Sequence, residues 1–90
     1  MNSAPLVSIV IPAYNPRFFR AALISTFSQT YPNFEVIVCD DSRGDEIQAI
    51  FDSLQENTSI KLRYVRNAEH LGLAGNLKAC LAEAGGEFIK

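Results

Sequence analysis

Short runs rich in β-branched residues alternate along this chain with stretches whose apolar residues recur every three or four positions, and few folds accept that order. Residues 6–11 (LVSIVI) are nearly all apolar and stop at Pro12, which reads as a strand covered on both faces. Asn15 followed by Pro16 predicts a helix start, because the Asn side chain can accept from free amides and Pro at the first helical position loses no bond. Phe19, Ala22, Leu23 and Phe27 then make one apolar stripe that ends before Tyr31 and Pro32. Residues 34–39 form a second strand, interrupted by Glu35 and ending at Asp40, Asp41 and Ser42. Ile47, Ile50, Phe51 and Leu54 mark a second helix, with Asp45 and Gln48 at capping-box spacing. In the third strand Ile60, Leu62 and Tyr64 alternate with Lys61 and Arg63, which gives one wet face near the sheet edge. Leu73, Leu77, Cys80, Leu81 and Ala84 predict a third inward-facing helical stripe, closed by Gly85 and Gly86 at a left-handed cap. A fourth strand begins at Glu87.

Strand and helix in turn specify the α/β class, a Rossmann-like three-layer sandwich whose right-handed crossovers make the sheet parallel. In such sheets ligands bind beyond the carboxyl ends of the strands, which directs attention to residues 12–15 and 40–45. Ninety residues at 48% hydrophobic supply one modest core, so the chain is one domain or a piece of one. A net charge of −2 without any basic run excludes general nucleic-acid binding. No apolar run approaches the length of a membrane span, and the uncharged start does not read as a signal peptide, so a cytoplasmic setting is expected. Cys39 and Cys80 have neither zinc spacing nor the density of a disulfide scaffold and are expected to be reduced core residues.

The turn after the first strand lacks the spaced glycines of a dinucleotide site and the Gly-rich, Lys-containing turn of a P-loop. It offers Pro12, Ala13, Tyr14 and Asn15 instead, an aromatic face and an amide suited to a flat base or a sugar; Asn15 equally reads as a helix cap. Asp40 and Asp41 stand side by side, and period-two geometry sends them apart, so that one can serve a ligand while the other serves structure. A carboxylate at that point can accept from a ribose hydroxyl or a base N–H, and the reading in which both cap the loop and the second helix stays open. His70, the one histidine, has no metal-type neighbour and reads as a solvated loop residue; Ser42 lacks a nucleophile elbow and reads as a cap. Asn76 and Lys78 read as an exposed helix face, with a weak suggestion of an anion at that helix start.

Four strings, VSIVIPAYN (7–15), QTYPNFEVIVCDDS (29–42), NAEHLGLAGN (67–76) and GEFI (86–89), in this order and spacing, resemble the family 2 glycosyltransferases over nearly the whole chain. The resemblance implies a partial GT-A fold, β-α-β-α-β-α-β with strand order 3-2-1-4, and a nucleotide-sugar site along the carboxyl edge. By position it sets Pro12 and Tyr14 against the base with Asn15 beside them, makes Asp41 the carboxylate that receives base or ribose, and leaves Asp40 as its structural neighbour. Many relatives read Ala-Arg-Asn where this chain has Ala74, Gly75 and Asn76, so the cationic phosphate contact expected there is missing. The family's acidic metal motif and its acceptor-activating carboxylate are expected beyond Lys90, as ligands for a divalent cation, Mn or Mg, and as the base for inverting displacement.

The resemblance therefore implies a part of a transferase that uses a UDP-, GDP- or TDP-sugar and a saccharide or lipid-linked acceptor, in cell-wall or polysaccharide biosynthesis, and inactive as this chain alone. Peripheral membrane attachment of the full-length protein is compatible with it. The reading from another class is a non-catalytic parallel-sheet module that forms a homo-oligomer through an uncovered sheet edge. A phosphorelay receiver is disfavoured, since Asn67 and Ala68 stand where its phosphorylatable Asp belongs. Two substitutions express these expectations: Asp41→Ala is expected to weaken nucleotide binding at little cost in stability, and Leu81→Ala to remove a packed core group.

Overall fold

The computed structural model describes residues 5–28, 31–85 and 88–89. The elements run β1 (Val7–Ala13), α1 (Pro16–Thr26), β2 (Phe34–Asp40), α2 (Glu46–Gln55), β3 (Lys61–Arg66), α3 (Gly72–Glu83) and β4 (Phe88–Ile89). All pairings are parallel and the order across the sheet is β3-β2-β1-β4, with Val7 opposite Phe34 and Glu35 opposite Lys61. The predicted fourth-strand start at Glu87 and the cap at Gly86 lie outside the described residues.

Contrary to the predicted stop, β1 runs through Pro12 to Ala13. The Ala13 carbonyl accepts from the Asp41 N–H on the β2 side, and alternation turns the ring nitrogen of Pro12 the other way, so the β1–β2 ladder loses no donor. Asn15 caps α1 as expected: its Oδ1 accepts from the Arg17 N–H at 2.9 Å and the Phe18 N–H at 3.3 Å. The capping box on α2 does not form; Asp45 makes no side-chain cap, and its carboxylate lies 3.6 Å from the Arg66 guanidinium.

The sheet is covered on both faces. Ile11, Ala13, Val36, Val38 and Leu62 pack against Phe19 and Leu23 of α1 and Ile47 and Phe51 of α2. On the opposite face Ile37 and Cys39 pack against Cys80, with Val10, Val65 and Ala84 around them, and both cysteines are free thiols. Glu35 accounts for its own interruption of β2: buried on the α3 face, it accepts from the Ser8 hydroxyl at 2.6 Å and from the Gly85 N–H at 3.0 Å, pinning the end of α3 to the sheet.

α3 is turned differently from its leucine pattern. It buries Asn76 and Cys80, while Leu73 is 80% exposed and Leu77 and Leu81 stay at the surface. Its inward face carries the Asn76 amide, which donates to the Cys39 carbonyl at 3.0 Å, and the Cys80 thiol, which donates to the Ile37 carbonyl at 3.4 Å, with Ala79 and Ala84 half-buried, and these bonds to β2 set the rotation of the helix. Its C-terminal cap, Ala84, is extended, and the positive φ among the described residues belongs to Gly72 at the other end, so the expected left-handed cap at Gly85 is corrected. Leu81→Ala is accordingly expected to cost about 1 kcal/mol or less, measured by urea unfolding. A loss of several kcal/mol would mean that the side chain is packed after all.

Candidate nucleotide site on the carboxyl edge

The loops after β1, β2 and β3 and the start of α3 converge at one end of the sheet. Asp40 and Asp41 diverge there as period two requires. Asp40, fully buried, turns to the α1–α2 face, where Oδ1 accepts from the N–H and hydroxyl of Ser42 at 2.8 and 2.6 Å and Oδ2 accepts from the Tyr64 hydroxyl. Burial together with the Asp40 carboxylate pushes the Tyr64 phenol well above its usual range, so the phenol remains a donor. Arg66 ties the same loop down by donating to the carbonyls of Gly44 at 2.8 Å and Ser42 at 3.4 Å.

Asp41, 3% exposed, turns to the α3 face. Its Oδ1 accepts from Asn67 Nδ2 and from the Leu71 N–H, each at 2.8 Å. Its Oδ2 accepts from the Gly72 N–H at 3.0 Å and lies 2.8 Å from His70 Nδ1. α3 has no side-chain cap of its own, so a carboxylate some 30 residues upstream performs that service, and the positive helix end favours its charge. The left-handed Gly72, at φ 79°, is the turn that brings the amides round to it. The suggested anion position at this helix start is therefore filled from within the chain.

Burial alone would raise the Asp41 carboxyl pKa, but the donors from Asn67, Leu71 and Gly72 and the neighbouring His70 outweigh it and hold the group below the ordinary range. Glu35 behaves likewise: burial opposes ionisation, and Ser8, the Gly85 N–H, Arg63 and Lys61 overcome it. Both folded-state pKa values lie below the unfolded ones, so these carboxylates stabilise the fold above the ordinary values of 3.8 and 4.5 and lose that contribution as pH falls through the depressed folded ones. Urea midpoints are expected to hold from neutral pH to about 5 and then drop steeply towards pH 3, less so in Glu35→Gln. A flat profile across that interval would refute the coupling.

Asn76 corrects a second expectation, because it is buried rather than part of an exposed face. Its Nδ2 donates to the Cys39 carbonyl at 3.0 Å and reaches the Ala13 carbonyl at 3.5 Å, while its Oδ1 accepts from Asn67 at 2.9 Å. It joins α3 to the ends of β1 and β2. His70 is an exposed loop residue as expected, but one with partners: besides the Asp41 carboxylate it meets the Asp41 carbonyl at 3.2 Å, and its ring tilts against Tyr14 with centroids 5.3 Å apart. Asn67 and His70 follow β3 on the same sheet edge, and that position was the sequence signal for them.

Above this bonded floor lies an open cleft of about 380 Å³ lined by Pro12, Tyr14, Asp41, His70, Gly72, Leu73 and Asn76. Tyr14, 61% exposed, forms one wall. Asn15 lines an adjoining hollow with Tyr14, Ser42 and Arg43. Among the described residues no group of three or more His, Cys, Asp or Glu side chains could hold a metal ion, and the Asp41 oxygens each already take two donors. These residues do not fit a divalent cation. Among them, too, no helix is long and apolar enough to cross a membrane.

Residues 8–89 match the model of glycosyl transferase family 2. The chain is 34% identical over 90 residues to EpsE of Bacillus subtilis (strain 168), spanning 99% of this chain and 32% of EpsE. It is 38% identical over 85 residues to WfaP of Escherichia coli, a UDP-Glc:alpha-D-GlcNAc-diphosphoundecaprenol beta-1,3-glucosyltransferase, spanning 93% of this chain and 33% of WfaP. Among solved structures, the mannosyltransferase PcManGT from Pyrobaculum calidifontis, in complex with GDP-Man and Mn2+, superposes with a TM-score of 0.85 at 27% identity, over 97% of this chain and 26% of that one. The chain thus spans about a third or less of the length of these proteins. With its motifs, its parallel sheet and these likenesses in agreement, the chain belongs to glycosyl transferase family 2 and has the GT-A fold.

Proposed function

We propose that this chain is the nucleotide-sugar-binding part of an inverting glycosyltransferase, and that the cleft at the carboxyl ends of β1 and β2 receives the nucleotide. The observation that carries the reading is the cleft itself, with an exposed aromatic wall over a polar floor, of a size suited to small ligands. Pro12 and Tyr14 supply apolar faces for the base, with Asn15 beside them holding the start of α1. Asp41 receives the base or ribose and Asp40 is its structural neighbour, and their bonds within the chain keep the surrounding loops in place before a ligand arrives.

The donor is a UDP-, GDP- or TDP-sugar and the acceptor a saccharide or a lipid-linked sugar, in a cytoplasmic setting; the UDP-Glc and diphosphoundecaprenol of the WfaP name and the GDP-Man bound by PcManGT support these classes. The divalent cation has no ligand set among the described residues, and no step is assigned to it. By itself this chain is expected to bind nucleotide weakly and to transfer no sugar.

Amide-resolved NMR titration with UDP, GDP and TDP, with and without manganese, tests the reading. Shifts centred on Tyr14 and Asp41 are expected, and their ranking narrows the donor. A well-dispersed spectrum unmoved by all three nucleotides would overturn the assignment. The module that forms a homo-oligomer through the sheet edge at β4 is the weaker reading, because it leaves the cleft under Tyr14 without a task.

A further inference from the structure

α1 and α2 cover the same face of the sheet and run in the same direction, because each is a crossover between neighbouring parallel strands. Their outward sides are opposite in charge. α1 exposes Arg17 and Arg20 and contains no acid, whereas α2 exposes Glu46 and Asp52, contains no base, and is followed by the exposed Glu56. None of these five charged groups has an ion-pair partner among the described residues, although the two helices lie side by side. Arg17 stands in the first turn of α1, where the helix dipole disfavours a cation, so helix stability does not account for it. The two sides also differ in relief. Phe18, 72% exposed, and Ile24, 43% exposed, project from α1, while the exposed Ala49 and Ser53 keep α2 low between its acids.

We propose that this helical face pairs with the same face of a second copy of the chain, the basic α1 of each copy lying on the acidic α2 of the other. Charge selects the symmetry. A two-fold axis in the interface, parallel to the helices and midway between them, sets each α1 on the other copy's α2; an axis at right angles to the helices sets arginine against arginine and acid against acid. The first arrangement offers Glu46 and Asp52 to Arg17 and Arg20, and the small Ala49 and Ser53 to Phe18 and Ile24. It also keeps the carboxyl edges of both sheets at one end, so that both clefts open in the same direction. Two helices about 16 Å long and about 10 Å apart present roughly 300 to 400 Å² per copy, less than a stable interface needs, so the dimer is transient, with Kd of about 0.1 to 1 mM. None of these side chains lines the cleft, and the inference stands apart from the nucleotide reading.

The test uses this chain without nucleotide. Sedimentation equilibrium up to about 1 mM is expected to show monomer and dimer, with pairing weakened about tenfold by about 0.5 M salt. On dilution, amide NMR shifts are expected to be centred on α1 and α2. Two charge-reversal variants, Arg17→Glu with Arg20→Glu and Glu46→Arg with Asp52→Arg, are each expected to weaken self-association about tenfold or more. Mixing the two variants is expected to restore pairing through the same amides, because each basic helix again meets an acidic one. Leu77→Ser, on the opposite face of the sheet, is expected to leave the equilibrium unchanged. A monomer at every concentration, a dimer indifferent to both reversals, or shifts centred on α3 or on the β4 edge overturns the inference. If a reversal variant fails to fold, the dilution shifts of the wild type and their salt dependence decide alone.

Discussion

Asp41→Ala is expected to lower the unfolding free energy by about 3 to 5 kcal/mol, one of the largest losses available to a single substitution in this chain. Removing the carboxylate leaves the Asn67 amide, the Leu71 and Gly72 N–H groups and His70 Nδ1 facing a small void, and water can satisfy only part of them. Each unsatisfied donor costs about 1 to 3 kcal/mol, reduced here because the loop can relax outward. The helix α3 also loses the one cap it has. Urea unfolding followed by circular dichroism reads the effect directly. A midpoint equal to wild type would show that the four contacts carry no net stability. Structure thus reverses the expectation from sequence that this substitution is nearly neutral for folding, and any accompanying loss of nucleotide binding must be measured where the variant remains folded.

Leu23→Ala is the second large effect, with about 3 to 5 kcal/mol expected to be lost. Leu23 is fully buried on the inner face of α1, in the cluster that contains Phe19, Val36, Val38, Ile47 and Phe51. Those neighbours belong to three elements and cannot all close on the vacated space, so the cavity adds to the lost transfer free energy. Leu81→Ala is the natural control: the same chemical change, on a half-exposed face, with a much smaller cost. Equal losses in the two variants would contradict the packing described for both helices.

The difference between these leucines shows where local pattern stops being informative. In α1 the apolar stripe and the buried face coincide, because Phe19 and Leu23 are large and the space between α1 and the sheet is wide enough to take them. In α3 the predicted stripe splits, with Cys80 and Ala84 turned to the sheet and Leu73, Leu77 and Leu81 turned outward. A count of hydrophobic residues favours the Leu73, Leu77 and Leu81 side, but the bonds of Asn76 and Cys80 to β2 carbonyls turn the Asn76, Cys80 and Ala84 side inward, and those carbonyls belong to a distant segment. Asn76 escapes local pattern for the same reason: an amide on a helix reads as surface, and only the fold brings the Ala13 and Cys39 carbonyls to it.

Of the candidate site, Pro12, Tyr14 and Asn15 were legible because they lie at or just beyond the carboxyl end of β1 and the carboxyl-edge rule applies to the first loop of any parallel sheet. The two aspartates were legible as a pair with opposite directions, since alternation along a strand needs no tertiary information. Their partners were not. The residues that saturate Asp41 lie 26 to 31 positions away, beyond a helix and a strand, where periodicity and propensity carry no signal.

By itself, then, the sequence determined the alternation of strands and helices, the parallel class that follows from it, the cap at Asn15 and the sheet edge at which a ligand can bind, because these depend on side-chain period and on chemistry within a few residues. The tertiary structure alone decided which face of α3 is buried, that Asp41 caps that helix, and that His70 lines the cleft, because each depends on groups from distant segments meeting at hydrogen-bond or van der Waals distance, which folding sets and local pattern does not.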